Sequence, residues 1–147
     1  MKKPRNNAAT PLVDPLAARL GYQLRRASVL MMADLGTRLA PTGLRPTEVT
    51  ILLLIGANPG CQQGEVAELL GIRPANMVPL IAGLVKQGLV DRARADGRSH
   101  ALSLTPKGRT RAAAVNKLLD RHETAFQSRL DKQALTGLLA SLATLRG

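Results

Sequence analysis

The chain has 147 residues, a net charge of +11, 45% hydrophobic residues and 21% charged residues, which suits one folded domain with a buried core. It has no run of 18 apolar residues, its basic N-terminus lacks the apolar stretch of a secretory signal, and its single cysteine cannot form an internal disulfide. These features exclude a membrane-spanning or disulfide-stabilised chain, and we expect a cytoplasmic protein that makes no contact with a membrane.

The positive charge is concentrated in one part of the chain. Residues 73–111 carry eight basic and two acidic residues, whereas residues 14–72 carry five of each. Such a cluster is typical of a surface that binds a polyanion, and an ordinary solvated surface is the alternative. The sequence contains one tyrosine, Tyr22, one phenylalanine, Phe126, and no tryptophan. Because proteins stack single-stranded bases on aromatic rings, duplex DNA is the better match.

A basic arm and a long helix come first in chain order. Residues 1–13 carry three basic and no acidic residues, and we expect them to form a flexible arm. Asp14-Pro15 has the pattern of a helix N-cap followed by proline at the first helical position, which predicts a helix from there to Ala40. An apolar stripe at spacings of three or four follows this helix: Leu16, Leu20, Leu24, Ala27, Met31, Leu35 and Leu39.

Three shorter helices are predicted next. Residues 45–48 start a helix whose body, VTILLLIGA, is apolar nearly all round, and this predicts a buried central helix. Residues 62–70 and 74–87 then predict two helices, of which the first ends at Gly71 and the second opens with Pro74. Two helices joined by a three-residue turn form the helix-turn-helix pattern.

The remainder of the chain predicts a hairpin and two more helices. LVDRA and HALSLT indicate two short strands on either side of a glycine-bearing turn, RADGRS. Thr105-Pro106 caps a long helix, and leucines at helical spacing from Leu135 to Leu145 predict a last, shorter one. The fold class is therefore mainly α with a small β-wing.

This order resembles the MarR family of winged helix-turn-helix transcription regulators. The similar motifs lie between Leu44 and Gly108 and comprise LRPTEVTILLLI, NPGCQQGEVAELLGI, LVKQGLVDR, the DGR of Asp96 and Arg98, and LTPKG. The resemblance implies a winged helix-turn-helix protein that forms an intertwined homodimer through its terminal helices. The apolar stripes of those helices agree, because they are too long for one small module to cover.

The resemblance also implies a division of the chain. Residues 14–147 form a single domain after the arm of residues 1–13. Within it, residues 44–105 are the DNA-binding lobe, and residues 14–43 and 106–147 supply the dimerisation helices. A two-fold dimer sets two recognition helices about one DNA turn apart, ~34 Å, so the expected DNA site is a pseudo-palindrome.

The family pattern assigns DNA contacts to the second helix of the helix-turn-helix and to the wing. Asn76 suits a bidentate contact with adenine, and Arg73 suits a phosphate or a guanine. In the wing, Asp96 orients Arg98, whose guanidinium enters the minor groove. The predicted DNA-binding residues are Arg73, Pro74, Ala75, Asn76, Met77, Pro79, Arg92, Arg94, Asp96, Arg98 and Ser99.

The recognition helix departs from the family pattern at three positions. Ala75 and Asn76 stand where Ser or Thr is usual. Pro79 lies inside the helix, where its missing amide hydrogen is expected to kink or loosen the second turn. The alternatives are that Asn76 is a plain surface amide and that the wing tip is a solvated turn with a surface ion pair.

Members of the family respond to small ligands, often aromatic carboxylates and in some branches acyl-CoA thioesters. Tyr22, Arg25, Val29 and Met32 fall on one face of the first helix, and Arg25-Arg26 suits a carboxylate or a CoA phosphate. LRRAS resembles the branch that controls aromatic-acid catabolism, some members of which sense hydroxycinnamoyl-CoA. The predicted ligand-binding residues are Tyr22, Arg25, Arg26, Val29 and Met32. The alternative is an arginine in a salt bridge within the dimer and methionines in the core.

Three classes of function compete. A ligand-responsive repressor is favoured, and an architectural duplex-DNA-binding protein without a ligand is the alternative. An enzyme is not expected, because no nucleophile–base–acid set, phosphate loop or metal cluster is visible, and no cofactor is implied. Cys61 does not match the first-helix cysteine of oxidant-sensing relatives and is expected to be a plain thiol. His100 and His122 predict no metal site, and His122 is expected to pack between helices.

Overall fold

The computed structural model describes residues 12–94 and 100–147. These residues form six α-helices and a small sheet in the predicted order. The helices are α1 (Leu20–Leu39), α2 (Pro46–Ala57), α3 (Gln63–Leu70), α4 (Pro74–Lys86), α5 (Pro106–Gln127) and α6 (Lys132–Arg146), and the strands are β1 (Cys61–Gln62), β2 (Val90–Arg94) and β3 (His100–Leu104). A single turn of 3₁₀ helix, Ala40–Thr42, follows α1.

The hydrophobic core is built around α2. As its apolar run predicts, Ile51, Leu52 and Ile55 have no exposed surface. The last turn of α1, the inner faces of α3 and α4, the sheet and Val115 of α5 pack around them. Since each fully buried aliphatic side chain contributes about 1.5–3 kcal/mol, this cluster is the main source of stability in the lobe.

The sheet has three antiparallel strands, with β3 in the centre between β1 and β2. Val90 pairs with Leu104, and Cys61 pairs with Leu102. The sequence predicts β2 and β3 but misses β1, because a strand of two residues is too short to display an alternating pattern. β1 ties the start of α3 to the wing strands and so fixes how the helix-turn-helix sits on the sheet.

The long first helix begins later than the sequence predicts. α1 starts at Leu20, whereas Asp14-Pro15 predicts a first helical residue at Pro15, five residues earlier. Asp14 does cap a turn, because its Oδ1 atom accepts a hydrogen bond from the Leu16 amide at 3.0 Å. That turn does not continue into the helix, since Arg19 is extended, with φ −87° and ψ 119°.

A polar cluster joins α1 to α5. His122 is buried, its Nδ1 atom lies 2.8 Å from Oδ2 of Asp34, and its ring packs on Phe126. Arg38 donates to the same carboxylate oxygen at 2.6 Å. Hydrogen bonds from Arg38 and then His122 hold the pKa of Asp34 below its usual value of 3.8. His122 is thus a helix-packing residue, as the sequence predicts.

The terminal helices leave apolar surface uncovered. α6 has no buried residue, and Leu138, Leu139 and Leu145 are exposed along it. On α1, Leu20, Val29 and Leu30 are exposed in the same way.

Within residues 12–94 and 100–147, no single helix is long and apolar enough to cross a bilayer. α3 and α4 reach that length only as a pair bent by 118°.

Candidate DNA-binding surface and effector groove

The helix-turn-helix has the geometry that its sequence predicts. The chain bends by 118° between α3 and α4, within the range of about 90–120° typical of this motif. Gly71 makes the turn in the left-handed conformation, at φ 63°. Glu65 supports the start of α3 by accepting a hydrogen bond from the Gln62 amide at 2.6 Å. α3 packs against α4, and the N-terminal half of α4 is largely exposed.

The outward face of α4 and the position before it carry five of the predicted DNA-binding residues. The exposed residues of this face and of the position before it are Arg73, Pro74, Ala75, Asn76, Val78 and Pro79. Side chains with this exposure, near the N-terminus of a recognition helix, can reach base edges and phosphates in a major groove. Val78 is not among the predicted DNA-binding residues, although its place near Asn76 in the N-terminal half of the helix is a usable signal.

The structure contradicts the prediction that Met77 contacts DNA. It is fully buried and belongs to the core together with Ile81 and Leu84. Spacings of four and three residues put these three side chains on one face of the helix, and that face points away from the DNA-binding surface. Met77 therefore packs the helix and does not contact DNA.

Pro79 does not break the recognition helix. α4 runs as one α-helix from Pro74 to Lys86 with Pro79 inside it. The Ala75 carbonyl, four residues earlier, consequently lacks the amide donor that an ordinary residue at position 79 would supply. Both residues are exposed, so solvent or a ligand can satisfy that carbonyl.

The wing is described up to Arg94 and again from His100. Arg92 of β2 donates from Nη2 to Oε1 of Gln63 at 3.3 Å, which ties the wing to the start of α3. Arg94 is the last residue of β2. Asp96, Arg98 and Ser99 lie outside the described residues, so their assigned roles remain predictions.

The LTPKG motif fastens α5 to the lobe. The Thr105 hydroxyl donates to the Gly88 carbonyl at 2.6 Å and accepts from the Gly108 amide at 2.8 Å. Lys107 donates from Nζ to the Gln87 carbonyl at 2.7 Å, at the end of α4. The motif thus links the recognition helix to the long helix that follows the wing.

A groove follows α1 where the sequence predicts a ligand site. Its volume is about 880 Å³, and its lining residues are Tyr22, Gln23, Arg25, Arg26, Ala27, Val29, Leu30 and Ala33. Tyr22, Arg25, Arg26 and Val29 are thus brought together, whereas Met32 does not line the groove. All lining residues belong to one helix, so nothing described in this protomer forms the opposite wall.

Asp14, whose sequence pattern predicts only a helix cap, contacts two of the side chains that line this groove. The Tyr22 hydroxyl donates to Oδ2 of Asp14 at 2.9 Å, and Nη1 of Arg26 lies 3.2 Å from the same oxygen. The Arg26 guanidinium also sits over the Tyr22 ring, 5.5 Å from its centroid. Arg26 therefore makes a salt bridge within its own chain, and Arg25 is exposed beside it.

A second, smaller pocket of about 460 Å³ lies between the end of α2 and α3, with Cys61 and Glu65 in its wall. Burial, and to a lesser extent the charge of Glu65, raises the pKa of the Cys61 thiol. A raised pKa keeps the thiol protonated and unreactive, which agrees with the expected plain thiol. Among residues 12–94 and 100–147, no three His, Cys, Asp or Glu side chains are grouped to hold a metal ion.

Comparison with known proteins agrees with this architecture. A model of the MarR family matches residues 42–99. The repressor CouR bound to a 23-mer DNA duplex is 38% identical, with a TM-score of 0.88, over 94% of this chain and 100% of that one. CouR bound to p-coumaroyl-CoA is 37% identical, with a TM-score of 0.84, over 93% of this chain and 98% of that one. A regulatory protein assigned to the hcr operon of Thauera aromatica is 29% identical over 95% of this chain and 89% of its own length. The chain belongs to the MarR family of transcriptional regulators.

Proposed function

We propose that this protein is a repressor that binds a pseudo-palindromic DNA site as a homodimer and leaves it when an aromatic acyl-CoA thioester occupies the α1 groove. The observation that carries the proposal is the pairing, on one chain, of an outward-facing recognition helix with an arginine-lined groove. Its support is the likeness to CouR, at 38% identity to the form bound to DNA and 37% to the form bound to p-coumaroyl-CoA.

The dimer forms through the terminal helices. Under this proposal, residues 44–105 are the DNA-binding lobe, and residues 14–43 and 106–147 are the dimer layer. The exposed leucines of α6 and the exposed apolar residues of α1 are the surfaces that a second copy covers. The second copy also supplies the missing wall of the groove.

The groove suits a thioester better than a small free acid. Val29 and Leu30 offer an apolar surface for the acyl ring, and Arg25 offers a guanidinium for a phosphate. The ligand acts by favouring a dimer in which the two recognition helices are wrongly spaced for the DNA site, and a coupling of roughly 1–3 kcal/mol is typical of such allostery.

Selection of genomic fragments by the purified protein tests the DNA part of the proposal. Selection is run at ~150 mM salt, because added salt suppresses binding that depends on charge alone. We expect fragments that share a pseudo-palindrome. Fragments without a common sequence would instead identify an architectural DNA-binding protein.

Replacement of Arg25 tests the effector part. Operator affinity is measured with and without p-coumaroyl-CoA and, in parallel, with free p-coumarate. We expect the thioester to release the wild-type protein, and Arg25→Ala to bind the operator normally while requiring at least about five-fold more thioester for release. Arg121→Ala, which removes an exposed arginine from α5, is the matched control and should behave as wild type. If the thioester releases Arg25→Ala from the operator as readily as it releases the wild type, the effector does not bind in this groove.

A further inference from the structure

We propose that Asp14 is an internal competitor for the acidic group of the effector. Its carboxylate pairs with Arg26, which lines the groove, and an incoming anion must displace this carboxylate before it can use that guanidinium. Asp14 thereby sets the effector concentration needed for release. The inference rests on the proposed function, because it concerns the same groove.

The geometry around the carboxylate is that of an occupied anion position. Oδ2 of Asp14 accepts from the Tyr22 hydroxyl at 2.9 Å and lies 3.2 Å from Nη1 of Arg26. The other oxygen, Oδ1, accepts from the Leu16 amide at 3.0 Å. A phenol, a guanidinium and a backbone amide are donors of the kind that a phosphate or carboxylate ligand requires. Asp14 takes all three.

The two ion-pair partners differ in their place in the fold. Arg26 and Tyr22 lie on α1 and line the groove, whereas Asp14 lies outside the helix, in a turn that precedes it. The carboxylate can therefore leave without disturbing any helical hydrogen bond of α1. The groove would then present both Arg25 and Arg26 to a ligand.

The contact is weak enough to be displaced. The side chains of Arg26 and Asp14 are 62% and 32% exposed, and exposed ion pairs contribute little to stability. The residues immediately before Asp14 do not hold it in place, because Leu12 and Val13 are 98% and 90% exposed. A phosphate group carries more charge than a carboxylate and can accept two parallel hydrogen bonds from the guanidinium. A phosphorylated ligand therefore competes effectively for Arg26.

This arrangement also provides selectivity. An uncharged aromatic compound could lie on Val29 and Leu30 but offers no anion to replace Asp14 at Arg26. A free aromatic acid exchanges one carboxylate for another, so its net gain at Arg26 is small. A CoA thioester brings several phosphate charges and gains most from the exchange. Asp14 thus favours the thioester over its parent acid.

Asp14→Asn is the informative change, because asparagine keeps the oxygen that accepts from the Leu16 amide and loses the charge that pairs with Arg26. Affinity for p-coumaroyl-CoA is measured by calorimetry on the full chain without DNA. We expect Asp14→Asn to bind about two- to five-fold more tightly than wild type, the range expected for relief of an exposed ion pair. Asp91→Asn makes the same charge change at an exposed residue of β2 and should leave the affinity unchanged.

Arg26→Gln completes a double-mutant cycle. If Asp14 acts through Arg26, Asp14→Asn gives no tightening when Arg26 is already glutamine. Equal or weaker binding by Asp14→Asn, or tightening that persists in the Arg26→Gln background, overturns the inference while the repressor proposal stands. If the wild-type protein binds neither p-coumaroyl-CoA nor p-coumarate, the proposed effector and this inference fall together.

Discussion

Gly108 shows how a single residue joins the DNA-binding lobe to the long helix α5. A Cβ atom at this position would lie 1.9 Å from the Leu89 carbonyl oxygen, far inside van der Waals contact. The clash is with backbone, so no side-chain rotation relieves it. Together with the hydrogen bonds of Thr105, this close approach explains in physical terms why the LTPKG motif ends in glycine.

Gly108→Ala should therefore destabilise the protein strongly. We expect a loss of ~3 kcal/mol or more, because the start of α5 must move away from Leu89. The measurement is urea unfolding at a fixed protein concentration. Gly64→Ala on α3 is the control, since a Cβ there meets nothing within 4 Å. We expect Gly64→Ala to be more stable than the wild type by ~0.5–1 kcal/mol, because alanine is the better helix former. Equal stability of the two variants would contradict the packing role of Gly108.

Single residues also mark the limit of what the sequence could predict about the site. The exposed positions of Arg73 and Asn76 followed from the helix-turn-helix pattern. The prediction that Met77 contacts DNA was wrong, although its helical spacing to Ile81 and Leu84 already indicated a buried face. The role of Asp14 could not be foreseen, because it depends on a backbone turn that brings residue 14 back onto the side chains of α1.

Secondary-structure elements were predictable where proline and glycine mark their ends. α2, α4 and α5 each begin at a proline, as predicted. The start of α1 was predicted from the same kind of signal and was wrong, since Asp14 and Pro15 form a separate turn. Local capping chemistry fixes where a turn begins, but only contacts with the rest of the chain decide whether that turn grows into a helix.

Pro79 is expected to lower the stability of the recognition helix, and this effect can be tested. Pro79 removes one backbone hydrogen bond from α4. Pro79→Ala should restore it and raise the free energy of unfolding by about 1–3 kcal/mol, measured by thermal or urea denaturation. Pro74→Ala is the control, because Pro74 occupies the first helical position, where no such bond is lost. A loss of stability in Pro79→Ala would mean that packing of the proline ring outweighs the missing hydrogen bond.

At the scale of the whole molecule, the hydrophobic core lies in the lobe. α1 and α6 carry apolar side chains that stay exposed in a single chain. α6 has no buried residue, although leucines recur along it at helical spacing. An isolated helix of this length is marginal in water unless its apolar face is buried. The second copy of the chain in the proposed dimer supplies the missing contacts.

A charge placed on α6 tests this dimer. Leu139, which is 56% exposed in the protomer, should be buried in the pair, so Leu139→Glu should convert the protein to monomers in sedimentation experiments. Leu69→Glu introduces the same change on α3, where the side chain is 70% exposed, and should remain dimeric. A dimeric Leu139→Glu protein would exclude this face of α6 from the interface.

The position of Tyr22 has a consequence for observing the protein at work. The chain has one tyrosine and no tryptophan, and that tyrosine lines the α1 groove with its hydroxyl bonded to Asp14. Tyrosine absorption and fluorescence of the protein therefore originate at one known place. Departure of the carboxylate from the phenol changes the surroundings of this chromophore. The unlabelled protein thus carries its own optical reporter of whether Asp14 is in place.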